Sequence, residues 1–369
     1  IDEAKNGDFA KEIRLSMLNG QKHKACQVCW NKEEVGVASK RQTSNRWYNW
    51  FNLEKAKQLT AEDGSTTAEP VYWDLRFGNL CNLKCVMCHP ASSSQWYEDY
   101  ILVEGGNSYY DNGKKITLDR NKKGRLVATN GTYDWHESDD FWNHMESKIP
   151  YLKQVYLVGG EPLMIEKHYG FLQKIIDAGR ANEVTLEYDT NLTAVQPRVL
   201  ELWKNFKLVW IRGSIDDYSK QNDYIRFPSK WSQIEKSIDK IKKADIKTRW
   251  DISTTWQLYN VYTIHNLWKH FDDKCSTRIL NTPRHLEIKI LPKHVKEKAI
   301  KILKNYQTTC KDPNKVNPYI AYLEKHMDFV DEEKLKYFAE FTTKLDNSRN
   351  VSFQNTFPEL YEDLKEYFV

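Results

Sequence analysis

Short apolar runs separated by amphipathic stretches set the strongest limit on how this chain can fold. The runs have the length and character of buried strands, and the stretches between them repeat apolar residues at helical spacing. Strands that alternate with helices form parallel sheets, because each helix crosses one face of the sheet before the next strand begins. The sequence therefore predicts an α/β fold. The predicted strands are residues 71–75, 154–158, 184–188, 208–215, 248–256 and 286–290, and the main predicted helices are residues 169–178, 197–203, 231–244, 263–271 and 295–306.

Three cysteines follow the first predicted strand in a Cys-x-x-x-Cys-x-x-Cys run. Cys81, Cys85 and Cys88 lie close together in the chain, so their thiolates can bind three irons of a [4Fe–4S] cluster. The run lacks a fourth cysteine, which leaves one iron free to bind another ligand. A cluster with an open iron suits chemistry better than electron storage, for which four protein ligands are usual. With a distant fourth ligand, the same thiols could instead bind zinc.

The second predicted strand ends in Gly159-Gly160-Glu161-Pro162. Glycines let a backbone approach a ligand without Cβ clashes, a glutamate can accept from an ammonium group, and a proline stops the strand. Alone, this tetrapeptide is best interpreted as an ordinary turn. Behind the cysteine run it predicts a ligand site, because in barrels of parallel strands the site lies at the carboxyl ends of the strands.

Together, the two motifs resemble those of the radical S-adenosylmethionine (radical SAM) enzymes. In that family the cysteine run binds a [4Fe–4S] cluster, and the Gly-Gly-Glu-Pro segment receives the amino group of SAM. The resemblance implies a partial (β/α)6 TIM-like barrel in which SAM chelates the open iron. One electron from the cluster would cleave SAM to methionine and a 5′-deoxyadenosyl radical, which abstracts a hydrogen from the substrate.

The resemblance implies further SAM contacts near the strand ends. Met87 lies where many relatives place an aromatic residue beside the adenine, and methionine is soft and apolar enough to pack there. Asn191 belongs to a segment similar to the Thr-Asn-Gly-Thr of related enzymes, but Leu192 replaces the glycine, so we expect a different turn. Ser214 would reach the ribose hydroxyls, and Arg226 would bind the SAM carboxylate. Each of these polar residues could equally belong to a strand-end turn or a surface ion pair.

A second pair of thiols lies upstream of the first strand. Cys26 and Cys29 form a Cys-x-x-Cys pair followed by Glu33, with a spacing that suits zinc or iron–sulfur. This segment resembles radical SAM proteins that carry an auxiliary iron–sulfur cluster in a SPASM or twitch module. Two thiols cannot hold a cubane cluster alone, and members of this layout carry further cysteines upstream. The pair is therefore half of an auxiliary site, a site completed by Cys275 and Cys310, or a plain thiol pair.

The motifs divide the chain into three predicted regions. Residues 1–68 form an N-terminal module that resembles an auxiliary-cluster domain, residues 69–292 form the partial barrel, and residues 293–369 form a helical C-terminal extension. Residues 105–136 are rich in Gly, Asn, Asp and Lys and break the strand–helix alternation. We expect this segment to be an inserted loop or lid.

The composition indicates where in the cell the protein is expected and which classes of partner it is expected to bind. The net charge of +4 over 369 residues does not indicate nucleic-acid binding. No apolar run reaches the roughly 20 residues of a membrane helix, and no signal peptide is visible, so we expect a cytoplasmic protein without a membrane partner. Five of the seven cysteines lie in two tight clusters, which indicates reduced thiols and metal binding. An expected partner is an electron donor such as flavodoxin or ferredoxin.

The predicted function is that of a radical SAM enzyme, with the substrate left open. Members with auxiliary modules mostly modify ribosomal peptides or proteins, which favours a peptide or protein side chain; some oxidise sugars or aminocyclitols, which is an alternative. A second alternative is a non-catalytic cluster- or zinc-binding interaction protein. Tyr188, Trp256 and Gln257 end predicted strands and are candidates to line the substrate cavity, although such residues more often belong to the core.

Overall fold

A computed structural model describes residues 2–131, 133–271 and 274–368 of the chain. The chain forms two compact units, Ile1–Pro70 and Val71–Val369. Ile1 and Val369, which bound the predicted terminal regions, and Thr132 of the predicted insertion lie outside the described residues.

The first unit is helical. Its helices are α1 (Asp2–Asn6), α2 (Asp8–Leu18), α3 (Gln27–Glu34), α4 (Lys40–Trp47) and α5 (Leu53–Gln58). Ser39 begins α4 with a capping box, in which its hydroxyl accepts from the backbone N–H of Gln42 and the Gln42 side chain accepts from the backbone N–H of Ser39. Trp30 is buried, and the guanidinium of Arg41 lies 4.5 Å from its ring centroid. This cation–π contact joins α3 to α4.

The second unit combines a parallel sheet, an inserted antiparallel sheet and helices. Its strands are β1 (Tyr72–Phe77), β2 (Ser108–Asp111), β3 (Lys114–Arg120), β4 (Leu126–Ala128), β5 (Gln154–Gly159), β6 (Thr185–Thr190), β7 (Leu208–Ser214), β8 (Thr248–Trp256) and β9 (Cys275–Ile279). Its helices are α6 (Trp96–Glu104), α7 (Asp139–Ser147), α8 (Glu166–Asp177), α9 (Pro197–Trp203), α10 (Lys220–Ile225), α11 (Trp231–Lys243), α12 (Ile264–His270), α13 (Lys293–Gln307), α14 (Asn317–Lys325), α15 (Glu332–Arg349), α16 (Phe353–Thr356) and α17 (Pro358–Leu364). None of the helices in the described part of the chain has the length and apolar character needed to cross a membrane.

The parallel sheet has six strands in the order β1-β5-β6-β7-β8-β9. Each strand is parallel to the next. Apart from the inserted β2 to β4, this order follows the chain, so each helical crossover connects neighbouring strands. The predicted α/β class is therefore confirmed, and the sheet is consistent with a partial TIM-like barrel.

The sixth predicted strand is wrong. Residues 286–290 span the end of one 3-10 turn (Arg284–Leu286), the connecting Glu287 and a second 3-10 turn (Ile288–Ile290), and the sixth strand is β9 instead. The alternating apolar residues of the predicted segment are all buried in the core, which explains why the segment looks like a strand in the sequence. The edge strand β9 has no fully buried residue, so its sequence shows less apolar character than the central strands do.

Side chains alternate between the two faces of the parallel sheet. On one face, residues aligned in register are buried and apolar, as in the row Leu75, Leu157, Tyr188 and Ile211. On the opposite face the aligned residues are polar or aromatic, and the row is Asp74, Tyr156, Glu187, Trp210 and Arg249. The first face forms the core with α8, α9, α11 and α12, and the second is a polar face.

Two of the three residues that the sequence suggests for a substrate cavity belong to the hydrophobic core. Tyr188 and Trp256 are fully buried members of the hydrophobic core, and Gln257 is also fully buried. The hydroxyl of Tyr188 also lies 3.3 Å from the ring nitrogen Nε2 of His168. Tyr188 and Trp256 therefore pack the core rather than a substrate cavity.

The inserted segment folds as an antiparallel sheet of β2, β3 and β4. Tyr109, Ile116 and Leu118 are buried and form a small cluster with Tyr97 of α6. The imidazole of His89, next to the cysteine run, packs 5.0 Å from the ring of Tyr109. The insertion is thus ordered secondary structure that packs beside the cysteine loop.

Candidate functional site

The three cysteines of the run lie in one loop that follows the carboxyl end of β1. Cys81 and Cys85 are buried, and Cys88 is partly buried. The backbone N–H of Cys88 donates to the carbonyl of Cys85 at 2.9 Å, and the N–H of Leu83 donates to Cys81 Sγ at 3.4 Å. Hydrogen bonds within the loop therefore give it a tight turn and keep its three thiols on one short segment.

Backbone hydrogen bonds hold this loop against the end of α10 and the segment that follows it. The N–H of Lys84 donates to the carbonyl of Phe227 at 2.7 Å, and the N–H of Val86 donates to the carbonyl of Ile225 at 2.8 Å. The indole of Trp96 donates to the carbonyl of Cys85 at 2.8 Å. Buried backbone groups need such partners, and these partners position the loop by protein contacts alone.

Gly159, the last residue of β5, and Gly160, which follows it, allow close contact with β1 and with the start of the cysteine loop. A Cβ on Gly159 would lie 2.7 Å from the backbone nitrogen of Phe77, and one on Gly160 would lie 2.2 Å from the carbonyl oxygen of Leu80. Gly159 also has a φ of +143°, which other residues rarely adopt. The N–H of Glu161 donates to that Leu80 carbonyl at 2.8 Å. The glycines are thus required for backbone packing against the loop.

The carboxylate of Glu161 joins the ends of β5 and β6. It accepts from the hydroxyl of Thr190 at 2.7 Å, from the N–H of Asn191 at 2.8 Å and from the N–H of Leu163 at 3.2 Å. Burial raises the pKa of Glu161 to about 7, although these hydrogen bonds oppose the shift. Pro162 is buried and begins a short 3-10 turn. The motif predicted to meet SAM is therefore a rigid turn beside the cysteines.

Asn191 lies against the cysteine loop. Its Nδ2 donates to Asn82 Oδ1 at 2.9 Å and lies 4.0 Å from Cys81 Sγ. Leu192 has a φ of +62° and its buried side chain packs over Gly213. The leucine thus adopts the left-handed backbone conformation that glycine favours, and the expected difference from the turn of related enzymes stays a prediction.

Arg226 lies between a buried carboxylate and a cysteine. Its Nε lies 2.7 Å from Asp216 Oδ2, and its Nη1 donates to Cys85 Sγ at 3.8 Å. Asp216 is fully buried, and its other oxygen accepts from the N–H of Thr255 at 2.7 Å. Burial acts against the charge of Arg226, but Asp216 and the nearby thiols outweigh it, so the pKa of Arg226 is raised.

The thiols differ in their electrostatic surroundings. A hydrogen bond from Cys88, opposed by burial and helped by the charge of Arg226, lowers the pKa of Cys85. The same hydrogen bond and burial raise the pKa of Cys88, and burial raises the pKa of Cys81 to about 12. Metal binding to this loop must therefore displace protons from buried thiols.

The donor set of the loop fits an iron–sulfur cluster. The Cys-x-x-x-Cys-x-x-Cys run supplies three sulfur donors, and soft thiolates select iron–sulfur clusters or zinc. Within the described residues, no group of three or more His, Cys, Asp and Glu side chains is already arranged to hold a metal ion. A [4Fe–4S] core on three thiolates carries net negative charge, which the buried guanidinium of Arg226 next to Cys85 complements.

The two remaining predicted SAM contacts lie at the same edge of the sheet. Met87 is partly buried and packs against the cluster of buried residues that contains Cys81 and Cys85. Ser214 is partly buried, ends β7 and pairs in register with Ser253 of β8. Their contacts with SAM stay predictions.

A buried group of three charged side chains next to the loop could not be predicted from the sequence. Asp99 Oδ1 lies 2.9 Å from Lys84 Nζ, and Asp99 Oδ2 lies 2.9 Å from Arg349 Nε. The Arg349 guanidinium also lies 5.1 Å from the ring of Trp96. The triad joins the cysteine loop, α6 and α15. Because Asp99 and Arg349 are 250 residues apart in the chain, no local pattern indicates their contact.

The upstream thiol pair lies in the first unit. Cys26 ends a 3-10 turn (Lys24–Cys26), Cys29 lies in α3, and both are partly buried. Glu33 accepts from Arg41 Nη2 at 2.6 Å and from the Ser39 hydroxyl at 2.5 Å. These hydrogen bonds lower the pKa of Glu33. The Glu33–Arg41 pair thus fixes α3, which carries Cys29, to the start of α4.

The other two cysteines lie in the second unit. Cys275 begins the edge strand β9, and Cys310 follows α13. Both are partly buried and pack against the main hydrophobic core.

The sequence that forms this site matches a known protein family. Residues 75–273, more than half of the chain, match the Radical SAM superfamily. The chain belongs to the radical SAM superfamily. The matched region contains the cysteine loop, the Gly-Gly-Glu-Pro turn and Arg226. Membership in this superfamily of enzymes implies SAM and a [4Fe–4S] cluster as cofactors. No curated protein matches the chain in sequence.

Several solved structures are similar to the chain at low sequence identity. Native anSMEcpe with bound AdoMet is 12% identical, with a TM-score of 0.41, over 72% of this chain and 66% of that one. Streptococcus suis SuiB bound to S-adenosylmethionine is 15% identical, with a TM-score of 0.38, over 81% of this chain and 58% of that one. SuiB bound to its precursor peptide SuiA is 14% identical, with a TM-score of 0.37, over 81% and 63%. The chain thus spans less than two thirds of the length of each of these proteins.

Proposed function

We propose that the chain binds a [4Fe–4S] cluster through Cys81, Cys85 and Cys88 and cleaves SAM reductively to abstract a hydrogen from a substrate. The observation that carries the proposal is the position of the loop. It lies at the carboxyl end of β1, in contact with the Gly-Gly-Glu-Pro turn that ends the adjacent strand β5. Ligand sites of parallel βα barrels lie at this edge. When bound, the cluster would supply the electron and its open iron would hold SAM.

The chain's own residues would bind SAM and exclude water. The rigid turn of Gly159, Gly160, Glu161 and Pro162 is proposed to receive the amino group of SAM, supported by its contact with the loop. The proposal includes Met87 beside the adenine, and Asn191 and Ser214 as polar contacts with SAM. Arg226, which the sequence predicts to bind the SAM carboxylate, is not included, because its guanidinium already pairs with Asp216 and lies beside Cys85. Burial of Cys81 and Cys85 restricts solvent at the cluster, which supports the control of a reactive site by the protein.

The test is cleavage of SAM by the reconstituted protein. Anaerobic reconstitution with iron and sulfide, followed by dithionite and SAM, is expected to yield 5′-deoxyadenosine, measured by liquid chromatography with mass spectrometry. A variant with Cys81, Cys85 and Cys88 all replaced by Ala is the control, and we expect it to yield none. Absence of 5′-deoxyadenosine from wild-type protein that carries the cluster would overturn the enzymatic proposal.

The proposed subgroup is the one with a SPASM or twitch module and an auxiliary iron–sulfur cluster. The Cys26, Cys29 and Glu33 segment and the Glu33–Arg41 pair that orders it support this proposal. Residues 1–68, 69–292 and 293–369 are the proposed domains, and the first boundary lies close to the end of the first compact unit at Pro70.

Iron content tests the auxiliary site. About eight irons per chain, falling to about four in the triple cysteine variant, are expected for two cubane clusters. About four irons, falling to none in the variant, would leave Cys26 and Cys29 without a cluster on this chain. Stoichiometric zinc in a colourless protein would instead support an interaction module.

The proposed substrate is a peptide or protein side chain, and a flavodoxin or ferredoxin is the proposed electron donor. The resemblance to auxiliary-module proteins, which mostly modify ribosomal peptides or proteins, supports this substrate class. The alternative is a sugar or aminocyclitol dehydrogenase of the same superfamily. Transfer of deuterium from a labelled substrate into 5′-deoxyadenosine would distinguish the two classes, because only a true substrate donates its hydrogen.

A further inference from the structure

The guanidinium of Arg226 lies beside the cysteine loop and is held there by other side chains of the protein. Its Nε lies 2.7 Å from Asp216 Oδ2, and its Nη1 lies 3.8 Å from Cys85 Sγ. The Arg226 side chain is 13% exposed and the Asp216 side chain is 0% exposed. A buried charge is costly unless it is paired, so this ion pair has few other positions available.

Asp216, which holds Arg226, is itself held by three hydrogen bonds, one to its carboxylate and two to its backbone. Asp216 Oδ1 accepts from the backbone N–H of Thr255 at 2.7 Å. The backbone N–H of Asp216 donates to Asn222 Oδ1 at 3.0 Å, and its carbonyl accepts from Asn260 Nδ2 at 2.6 Å. These partners come from β8, α10 and the turn after β8. Asp216 is therefore a fixed support that aims Arg226 at Cys85.

We propose that Asp216 positions Arg226 to stabilise negative charge on the Cys85 thiolate, and that the pair thereby sets the reduction potential of the cluster. The inference rests on the proposed function, because it requires a cluster on Cys81, Cys85 and Cys88. It differs from the sequence-based expectation, in which Arg226 binds the carboxylate of SAM. In the structure the guanidinium already has a carboxylate partner in Asp216 and donates to a cysteine sulfur.

The sign of the effect follows from electrostatics. Reduction adds one negative charge to the cluster, so a nearby positive charge favours the reduced form and raises the potential. Hydrogen bonds to the sulfurs are among the factors that set such potentials. A hydrogen bond that Arg226 donates to Cys85 also favours the reduced form, so it raises the potential as well. Removal of Arg226 should therefore lower the potential. Asp216→Asn removes one negative charge but keeps an oxygen that can accept from Arg226, so the guanidinium stays beside Cys85 and the potential should rise.

The experiment is a redox titration of the reconstituted protein without SAM, followed by electron paramagnetic resonance. In the Arg226→Met variant we expect the ratio of reduced to oxidised cluster at a fixed potential to fall at least about tenfold, or 59 mV for a one-electron couple. Arg226→Lys keeps the charge and should shift less. Asp216→Asn should shift the potential in the opposite direction. Opposite signs in the two partners of one ion pair do not follow from a merely structural role.

A matched control comes from another arginine of the sheet. Arg212 pairs with Asp189 at 2.5 Å and with Glu187 at 3.0 Å on the polar face. Arg212→Met removes a comparable ion pair, and we expect an unchanged potential. A shift in Arg212→Met equal to that in Arg226→Met would overturn the inference.

Two further outcomes would overturn it, and each identifies another role. An unchanged potential in Arg226→Met with weaker SAM binding would assign Arg226 to the SAM carboxylate. Loss of iron from both Arg226→Met and Arg226→Lys would indicate a structural pair, since lysine keeps the charge. A wild-type protein that holds no cluster would refute the proposed function itself. Wild-type protein with a cluster but no 5′-deoxyadenosine would refute only catalysis, because the titration needs no SAM.

Discussion

Replacing Gly160 by alanine should separate the Gly-Gly-Glu-Pro turn from the cysteine loop. The added Cβ would lie 2.2 Å from the carbonyl oxygen of Leu80 and 2.5 Å from its carbonyl carbon. Both atoms belong to backbone, so no side chain can rotate away. Either the turn or the loop must move, and the hydrogen bond from the N–H of Glu161 to the Leu80 carbonyl at 2.8 Å must lengthen.

The magnitude follows from two terms. Overpacking of a well-packed interior costs about 1–3 kcal/mol, and loss of one buried hydrogen bond costs about 1 kcal/mol. We therefore expect Gly160→Ala to lower the free energy of unfolding by about 2–4 kcal/mol. Because the displaced carbonyl immediately precedes Cys81, iron uptake on reconstitution should also fall.

Gly170 is the matched control for this substitution. It lies inside α8, and a Cβ there would have no atom within 4 Å. Alanine at this exposed helical position should stabilise the protein by about 0.5–1 kcal/mol. Denaturant titration of the metal-free proteins gives both free energies of unfolding. The reasoning would be refuted by equal stability of the two variants, or by full iron uptake in Gly160→Ala.

Two further predictions concern buried charges. Arg349→Met should lower the free energy of unfolding by about 3–5 kcal/mol, since it removes one partner of buried Asp99; Arg120→Met, which breaks the exposed pair with the adjacent Glu98, should change it by less than about 1 kcal/mol. Similar losses in the two variants would contradict this. Burial raises the pKa of Asp217 from 3.8 to about 7, so the folded protein binds this proton more tightly and wild type loses stability as pH rises between these values. Relative to wild type, the free energy of unfolding of Asp217→Asn should therefore increase by up to about 4 kcal/mol between pH 4 and pH 7, with no further increase above pH 7. Denaturant titration at each pH measures this difference, and a difference that does not change with pH would contradict the prediction.

Much of the fold could be predicted because its signals are local. The strands β1, β5, β6, β7 and β8 appear in the sequence as apolar runs, since each of them has buried residues on at least one face. The strand β9 could not be predicted in this way, because none of its residues is fully buried. The segment 286–290 shows the reverse, since core burial makes turn residues as apolar as a strand.

The candidate site divides in the same manner. The cysteine run and the Gly-Gly-Glu-Pro turn were predictable from spacing, because a chelating loop and a strand-end turn each need specific residues within a few positions. The reason for the glycines was only partly predictable. The group that they approach in the structure is the backbone of Phe77 and Leu80, and that contact depends on the pairing of β5 with β1.

The available chemistry is visible in the sequence: three thiols in one loop, an upstream thiol pair, and parallel strands that bring the motifs to one edge of a sheet. Which charged groups contact one another around that loop depends on the tertiary fold. Arg226 lies 141 positions from Cys85, and Arg349 lies 250 positions from Asp99. Such contacts leave no periodic pattern in a chain, because they arise from the packing of separate helices and strands. The partner of a buried charge is therefore set by the fold, whereas the ligands of a short chelating loop are set by the sequence.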